Sequence, residues 1–110
     1  MILVNTDDIP HKKVVKSLGL VEGNTIRARN IGRDIVAFFK NLVGGEIEEY
    51  TKLLAQAREQ ALDRMIAMAE ERGANAIIGV RFGTSYIMQN AAEVLAYGTA
   101  VIVEDEERPV

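Results

Sequence analysis

The stretch IEEYTKLLAQAREQALDRMIAMAEER, from Ile47 to Arg72, has the clearest periodicity in the chain. Its apolar residues recur at spacings of three and four, which predicts an amphipathic helix ended by Gly73. The stripe comprises Ile47, Tyr50, Leu54, Ala57, Ala61, Met65 and Met68. Such a helix is roughly 39 Å long. We expect a sheet of short strands to leave part of this stripe uncovered, which is a first indication of self-association.

Two strand patterns follow the helix, NAIIGVRFGTS at residues 75–85 and EVLAYGTAVIVE at residues 93–104. The link from Tyr86 to Ala92 predicts an antiparallel hairpin. The second strand is apolar on both faces, so we expect cover on both sides. Small residues leave a shallow surface for a close helix or, less commonly, for a ligand or a second chain. They are Gly79, Gly83, Ala96, Gly98 and Ala100.

Before the long helix, the chain has two further strand patterns. Ile2–Val4 is a short one, and Val14–Arg29 is a longer extended segment bent or bulged at Gly19 and Gly23. The alternative is that Glu22–Asn24 (EGN) forms a tight hairpin turn. The sequence leaves both interpretations open.

A short helix is predicted between this segment and the long helix. Asn30 is a natural N-cap, and Gly44 and Gly45 are suited to end the helix. Apolar residues at helical spacing lie between them, at Ile31, Ile35, Phe38 and Leu42. The fold class is therefore α+β, an antiparallel sheet with one short and one long helix packed on it. We expect one domain over residues 1–104 and a disordered acidic tail over 105–110.

Composition limits the function classes. The 110 residues are 48% hydrophobic and 26% charged, which is ordinary for one soluble domain. A net charge of −3 provides no basic field for nucleic acid. The longest strongly apolar run near a helix, Ile35–Phe39, is far short of the ~20 residues that span a membrane. There are no cysteines, which excludes thiolate chemistry and fits a cytoplasmic protein. We expect neither nucleic-acid nor membrane partners.

The segment RARNIGRD, Arg27–Asp34, is the one candidate binding site. Strand arginines, free amides at a helix start and a glycine that admits a ligand are the ingredients of an anion site. The candidate residues are Arg27, Arg29, Asn30, Gly32 and Arg33. The alternative is that the arginines pair with some of the chain's 16 acidic residues. The abundance of carboxylates favours this alternative.

Other chemistry has little support. His11 follows Asp7 and Asp8 in a proline-containing loop, where the spacing fixes no metal geometry. Ser17 and Ser85 have no histidine placed near them by any motif. We therefore predict no catalytic residue and no metal ligand, identify no cofactor, and expect a protein that is not an enzyme.

Five segments carry a resemblance to a known family. They are GLV at residues 19–21, RARNIGRD with Gly44 and Gly45, AREQALDRM at 57–65, GANAIIGV at 73–80 and AYGTAV at 96–101. Together they resemble the YbjQ-like family, labelled "putative heavy-metal-binding domain", whose function is not established. The resemblance covers almost the whole chain.

The resemblance implies a dodecin-like subunit and a homo-oligomeric ring, most simply a pentamer. It transfers no catalytic residues. The expected function is that of a cytosolic ring-forming protein that binds a small anionic ligand or a partner at its subunit interfaces. The alternative, which follows the family label, is metal-ion binding or storage.

Overall fold

The computed structural model describes residues 1–28, 48–88 and 91–107. In chain order the elements are β1 (Ile2–Leu3), β2 (Lys12–Ala28), α1 (Glu48–Glu71), β3 (Ala76–Met88) and β4 (Ala91–Asp105). One sheet of four strands packs against α1, which confirms the α+β class. The predicted short helix, with Asn30, Gly44 and Gly45, lies outside the described residues.

The sheet has the order β1-β3-β4-β2. β4 is antiparallel to both β2 and β3, so the predicted hairpin is confirmed. β1 runs parallel to β3, with Ile2 opposite Ala76, and the sheet is therefore mixed. The prediction of a wholly antiparallel sheet is wrong at this strand, because two residues of β pattern carry no information about strand direction.

β2 is one continuous strand rather than a hairpin. Glu22, Gly23 and Asn24 pair in order with Tyr97, Ala96 and Leu95. The turn alternative for these three residues is therefore wrong. The predicted bulge is confirmed at Gly19, where the pairing register shifts after Ser17 and Gly19 has a φ of 89°. A left-handed φ suits glycine, which lacks the Cβ that would clash there. The bulge predicted at Gly23 is wrong, because Gly23 pairs in uninterrupted register.

Gly23 allows α1 to pack closely on β2, because the backbone of the helix lies directly against it. A Cβ at this position would overlap with the carbonyl oxygen of Ala61 and come within 2.5 Å of the Met65 nitrogen. On the side of α1 that faces the sheet, every fourth residue is fully buried, namely Ala57, Ala61, Met65 and Ala69. The predicted close approach of a helix is confirmed at Ala96 and Ala100, which share the buried cluster with these helix residues. It does not hold at Gly79 or Gly83, where a Cβ would meet nothing within 4 Å, or at Gly98, whose neighbours are residues of β3.

The sheet has two unlike sides. The helix side packs on α1 and includes the buried residues Val21, Gly23, Thr25, Val94, Ala96 and Ala100. The far side alternates with it and includes Leu20, Glu22, Asn24 and Ile26 of β2. A second buried cluster of Ala76, Val101 and Val103 lies beside Ile2, Ile9 and Ile78. The prediction that β4 is covered on both sides is therefore confirmed at Val101 and Val103, which are buried on the far side. Tyr97, on the same side, is 36% exposed.

Part of the helix stripe is uncovered, as expected. The sheet covers the stripe from Ala57 to Met65, whereas Leu54 is 39% exposed. Ile47 and the side chain of Tyr50, which belong to the same end of the stripe, lie outside the described residues. Short strands are not the reason, because at ~1.5 Å per helical residue and ~3.3 Å per strand residue α1 is about 36 Å long and β2 about 56 Å.

The last strand also extends further than expected. β4 continues through Asp105, which the sequence placed in the tail, because Asp105 pairs with Lys12 in both backbone register and side chain. The hydrogen bond and charge of Lys12 lower the pKa of the Asp105 carboxyl. Residues 108–110 of the predicted tail lie outside the described residues.

Candidate functional site

The predicted anion site begins at the end of β2. Arg27 pairs with Ala92 as the next-to-last residue of the strand, so the predicted strand is confirmed at this position. The Arg27 side chain, together with Arg29, Asn30, Gly32 and Arg33, lies outside the described part of the chain. Whether these arginines bind an anion or pair with carboxylates stays a prediction.

Thr25, two residues before Arg27, carries a polar group that sequence reasoning missed. It is 3% exposed and lies opposite Val94 on the helix side. Among the described side chains, its Oγ1 is a buried atom without a hydrogen-bond partner. A buried polar group left without a partner costs ~1–3 kcal/mol. Alternation with Val21 and Gly23 was the pattern that could have predicted its burial.

Two arginines, Arg64 in α1 and Arg72 directly after its last residue, bind the backbone of β2. The Arg72 Nη1 donates to the carbonyl oxygens of Leu18 and Leu20, at 3.3 and 2.7 Å. The Arg64 Nη1 donates to the carbonyl oxygen of Asn24. Both arginines are exposed, and no sequence pattern predicts that either one meets a strand.

β2 also carries the most exposed apolar side chains of the described chain. Leu20 is 62% exposed and Ile26 is 56% exposed, both on the far side of the sheet. Val14 and Val15 at the start of the strand are nearly half exposed. On the helix side, Phe82 of β3 is 47% exposed, because α1 lies over β2 and β4. Apolar surface is therefore exposed on both sides of the sheet.

The loop around His11 does not resemble a metal site. His11 has a φ of 65°, and Asp7 and Asp8 are exposed in the same loop. In residues 1–28, 48–88 and 91–107, no three acidic or histidine side chains are grouped closely enough to hold a metal ion. Over the same ranges, no helix is both long enough and apolar enough to cross a membrane.

Comparison with known proteins identifies one family over nearly the whole chain. The profile of a family described as YbjQ, "Putative heavy-metal-binding", matches residues 1–104. The UPF0145 protein DET1617 of Dehalococcoides mccartyi is 64% identical over 104 residues, covering 94% of this chain and 100% of that protein. A UPF0145 protein of Clostridioides difficile is 53% identical over 106 residues, covering 96% of this chain and 95% of that protein.

A solved structure shares the fold. It is a crystal structure of a Pediococcus pentosaceus protein, described as having unknown function and belonging to the DUF74 family. It superposes with a TM-score of 0.67 over 94% of this chain and 98% of that chain, at 13% identity. At that identity the likeness supports the fold alone.

Proposed function

Given that the chain belongs to the YbjQ-like family, we propose that it forms a cytoplasmic homo-oligomeric ring and is not an enzyme. The subunit is dodecin-like, and a pentamer is the ring size that the family resemblance implies. A small anionic ligand or a partner binds at the subunit interfaces.

Exposed apolar side chains on both sides of the sheet are the observation that carries this proposal. An isologous dimer buries one patch on each subunit, whereas a ring subunit contacts two neighbours through two different patches. Leu20 and Ile26 on the far side and Phe82 on the helix side supply two separate apolar patches.

Sedimentation velocity over a dilution series in the micromolar range tests the assembly. We expect one species of about 60 kDa, five times the 12.1 kDa chain. A stable monomer throughout the series would refute the ring, and a dimer would refute the two-patch geometry.

Two charge-introducing variants test which patches meet. In a head-to-tail ring, the Leu20 patch of one subunit meets the Phe82 patch of the next, so Leu20→Lys and Phe82→Lys each give monomers. Mixing the two variants restores one intact contact per pair and gives a dimer that cannot grow. Glu59→Lys, at an exposed position on α1, controls for the added charge and keeps the ring. Monomers in the mixture would show that the two patches do not meet.

The anion site is proposed at Arg27, Arg29, Asn30, Gly32 and Arg33. Its support is chemical, because guanidinium groups and helix-start amides both bind anions. Thermal denaturation against a panel of phosphates and nucleotides provides the test. A ligand at one hundred times its Kd stabilises the protein by about 2.7 kcal/mol.

Three arginine variants make that measurement specific. We expect Arg29→Ala and Arg33→Ala to lose the response to the ligand and Arg58→Ala, on the exposed surface of α1, to keep it. No response in the wild type, or equal responses in all three variants, would count against the anion site.

Metal binding is the alternative that the family description supports. The residues described in a single chain do not fit a heavy-metal site. The sequence has no cysteine and one histidine, and no three-donor group occurs in the described ranges. Metal analysis after exposure of untagged protein to zinc, copper and nickel tests the alternative. Stoichiometric metal per subunit or per ring would establish it over the anion proposal.

A further inference from the structure

β2 is a long and apolar edge strand. It has 17 residues and lies at one end of the strand order, and among the described strands it pairs with β4 alone. An edge strand presents unpaired amide and carbonyl groups that template the addition of another strand. With Leu20 and Ile26 more than half exposed, this edge has the composition of an aggregation site.

Arg64 of α1 and Arg72, the residue after α1, alter that edge. Arg72 occupies the carbonyls of Leu18 and Leu20, and Arg64 occupies the carbonyl of Asn24. Leu20 and Asn24 are an even number of residues apart, so their carbonyls face the same edge of the strand. A strand adding at this edge has to displace both guanidinium groups from their acceptors.

The position of the helix makes these contacts possible. Gly23 lets α1 lie against β2, with the Arg64 Cβ only 2.9 Å from where a Gly23 Cβ would be. Arg64 and Arg72 therefore reach the edge from directly above it. A charged side chain bound across the edge is one of the ways in which proteins prevent edge-to-edge pairing.

We infer that Arg64 and Arg72 close the β2 edge to strand addition, so that a second copy of this chain docks through the exposed side chains of the sheet. This inference rests on the proposed self-association. The occupant is a second copy, because the proposed ring places Leu20 and Ile26 of one subunit against Phe82 of the next. The subunits then assemble into a closed object, and open-ended extension of the sheet is prevented.

The variant Arg72→Ala tests the inference, because it frees two edge carbonyls. We expect it to form larger, elongated species that bind thioflavin T, at concentrations where the wild type keeps its size. Arg72→Lys retains a donor and is expected to behave as the wild type. Arg58→Ala removes an exposed arginine from α1 and is the matched control.

Arg64→Ala is the second variant, in case Arg72→Ala fails to fold by circular dichroism. It frees only the Asn24 carbonyl, so we expect the same species at higher protein concentration. Identical sedimentation and thioflavin T response in Arg72→Ala, Arg64→Ala and Arg58→Ala would overturn the edge closure.

A separate outcome identifies the docking route. Leu20→Lys disrupts the docking of the second copy, whereas Arg72→Ala on its own retains it. If Leu20→Lys keeps the wild-type assembly and Arg72→Ala loses it, the copies associate through the edge and the inference is wrong. A monomeric wild type would refute the proposed self-association, while the comparison of Arg72→Ala with Arg58→Ala would still report on the edge.

Discussion

Gly23→Ala is the substitution whose effect follows most directly from the structure. The added methyl group would overlap with the Ala61 carbonyl oxygen and lie 2.5 Å from the Met65 nitrogen and 2.9 Å from the Arg64 Cβ. Two of these atoms belong to the helix backbone, so a change of rotamer cannot relieve the overlap. Either α1 or β2 has to withdraw by about 1 Å to restore ordinary contact distances.

The expected loss of stability follows from the gap that this withdrawal would open between α1 and β2. A radial gap of 0.5–1 Å forfeits about a quarter to a half of the dispersion energy at each contact. The contacts affected are those of the buried helix stripe from Ala57 to Ala69. Overpacking in a well-packed core costs about 1–3 kcal/mol. We expect about 3 kcal/mol here, and with about 4–8 °C per kcal/mol in a domain of this size, Tm falls by at least about 12 °C.

Gly83→Ala is the matched control. Gly83 lies in β3 of the same sheet, and a Cβ built there meets nothing within 4 Å. The two variants therefore make the same chemical change in a strand of one sheet. Urea denaturation at a fixed protein concentration is the assay, because the stability of an oligomer depends on concentration. If Gly23→Ala lies within about 0.5 kcal/mol of Gly83→Ala, the close packing of helix on strand is refuted.

Three further predictions concern single side chains. Thr25→Val removes a buried hydroxyl without a described partner and should raise the free energy of unfolding by about 1 kcal/mol; a loss of stability in urea would mean that the hydroxyl is bonded. Met65→Ala truncates a fully buried side chain and should cost about 2–5 kcal/mol in the same assay, and a cost below that range would mean that the cluster collapses around the gap. The hydrogen bond and charge of Lys12 hold the pKa of Asp105 below the ordinary aspartate value, so the pair stabilises the fold above that ordinary value and is lost as the pH falls through the lower folded-state pKa. A carboxyl NMR titration should show this, with Lys12→Gln returning the Asp105 midpoint toward the ordinary value; an unchanged midpoint would refute the pairing.

Local periodicity made the long helix predictable. The apolar stripe indicated Ile47–Arg72, and the structure has Glu48–Glu71, because spacings of three and four residues are a property of the helix itself. The structural role of each glycine in β2 could not be predicted from the sequence, for a physical reason. The missing side chain serves a bulge at Gly19 and a close helix contact at Gly23, and one sequence pattern fits both.

Contacts between distant parts of the chain could not be predicted. Arg64 meets a carbonyl 40 residues away, and Arg72 meets one 52 residues away. Both arginines have the spacing of solvent-facing helix residues, so only the placement of α1 over the edge strand reveals their partners. The parallel pairing of β1 with β3 was unpredictable for the same reason, since β3 follows β2 and α1 in the chain and its position beside β1 depends on how those elements pack. Of the candidate anion site, the sequence placed Arg27 correctly at a strand end.

One packing contact connects the core to the assembly surfaces. The absence of a side chain at Gly23 sets how closely α1 approaches β2, and that approach brings Arg64 and Arg72 to the edge carbonyls. A helix centred over β2 and β4 also leaves Phe82 of β3 exposed on its own side and leaves Leu20 and Ile26 exposed on the other. In the proposed assembly, the same placement closes the edge to strands and leaves apolar side chains for a neighbouring subunit. A larger residue at Gly23 would lift the helix, weaken the core and loosen both arginines, and would thereby couple the stability of the subunit to the proposed self-association.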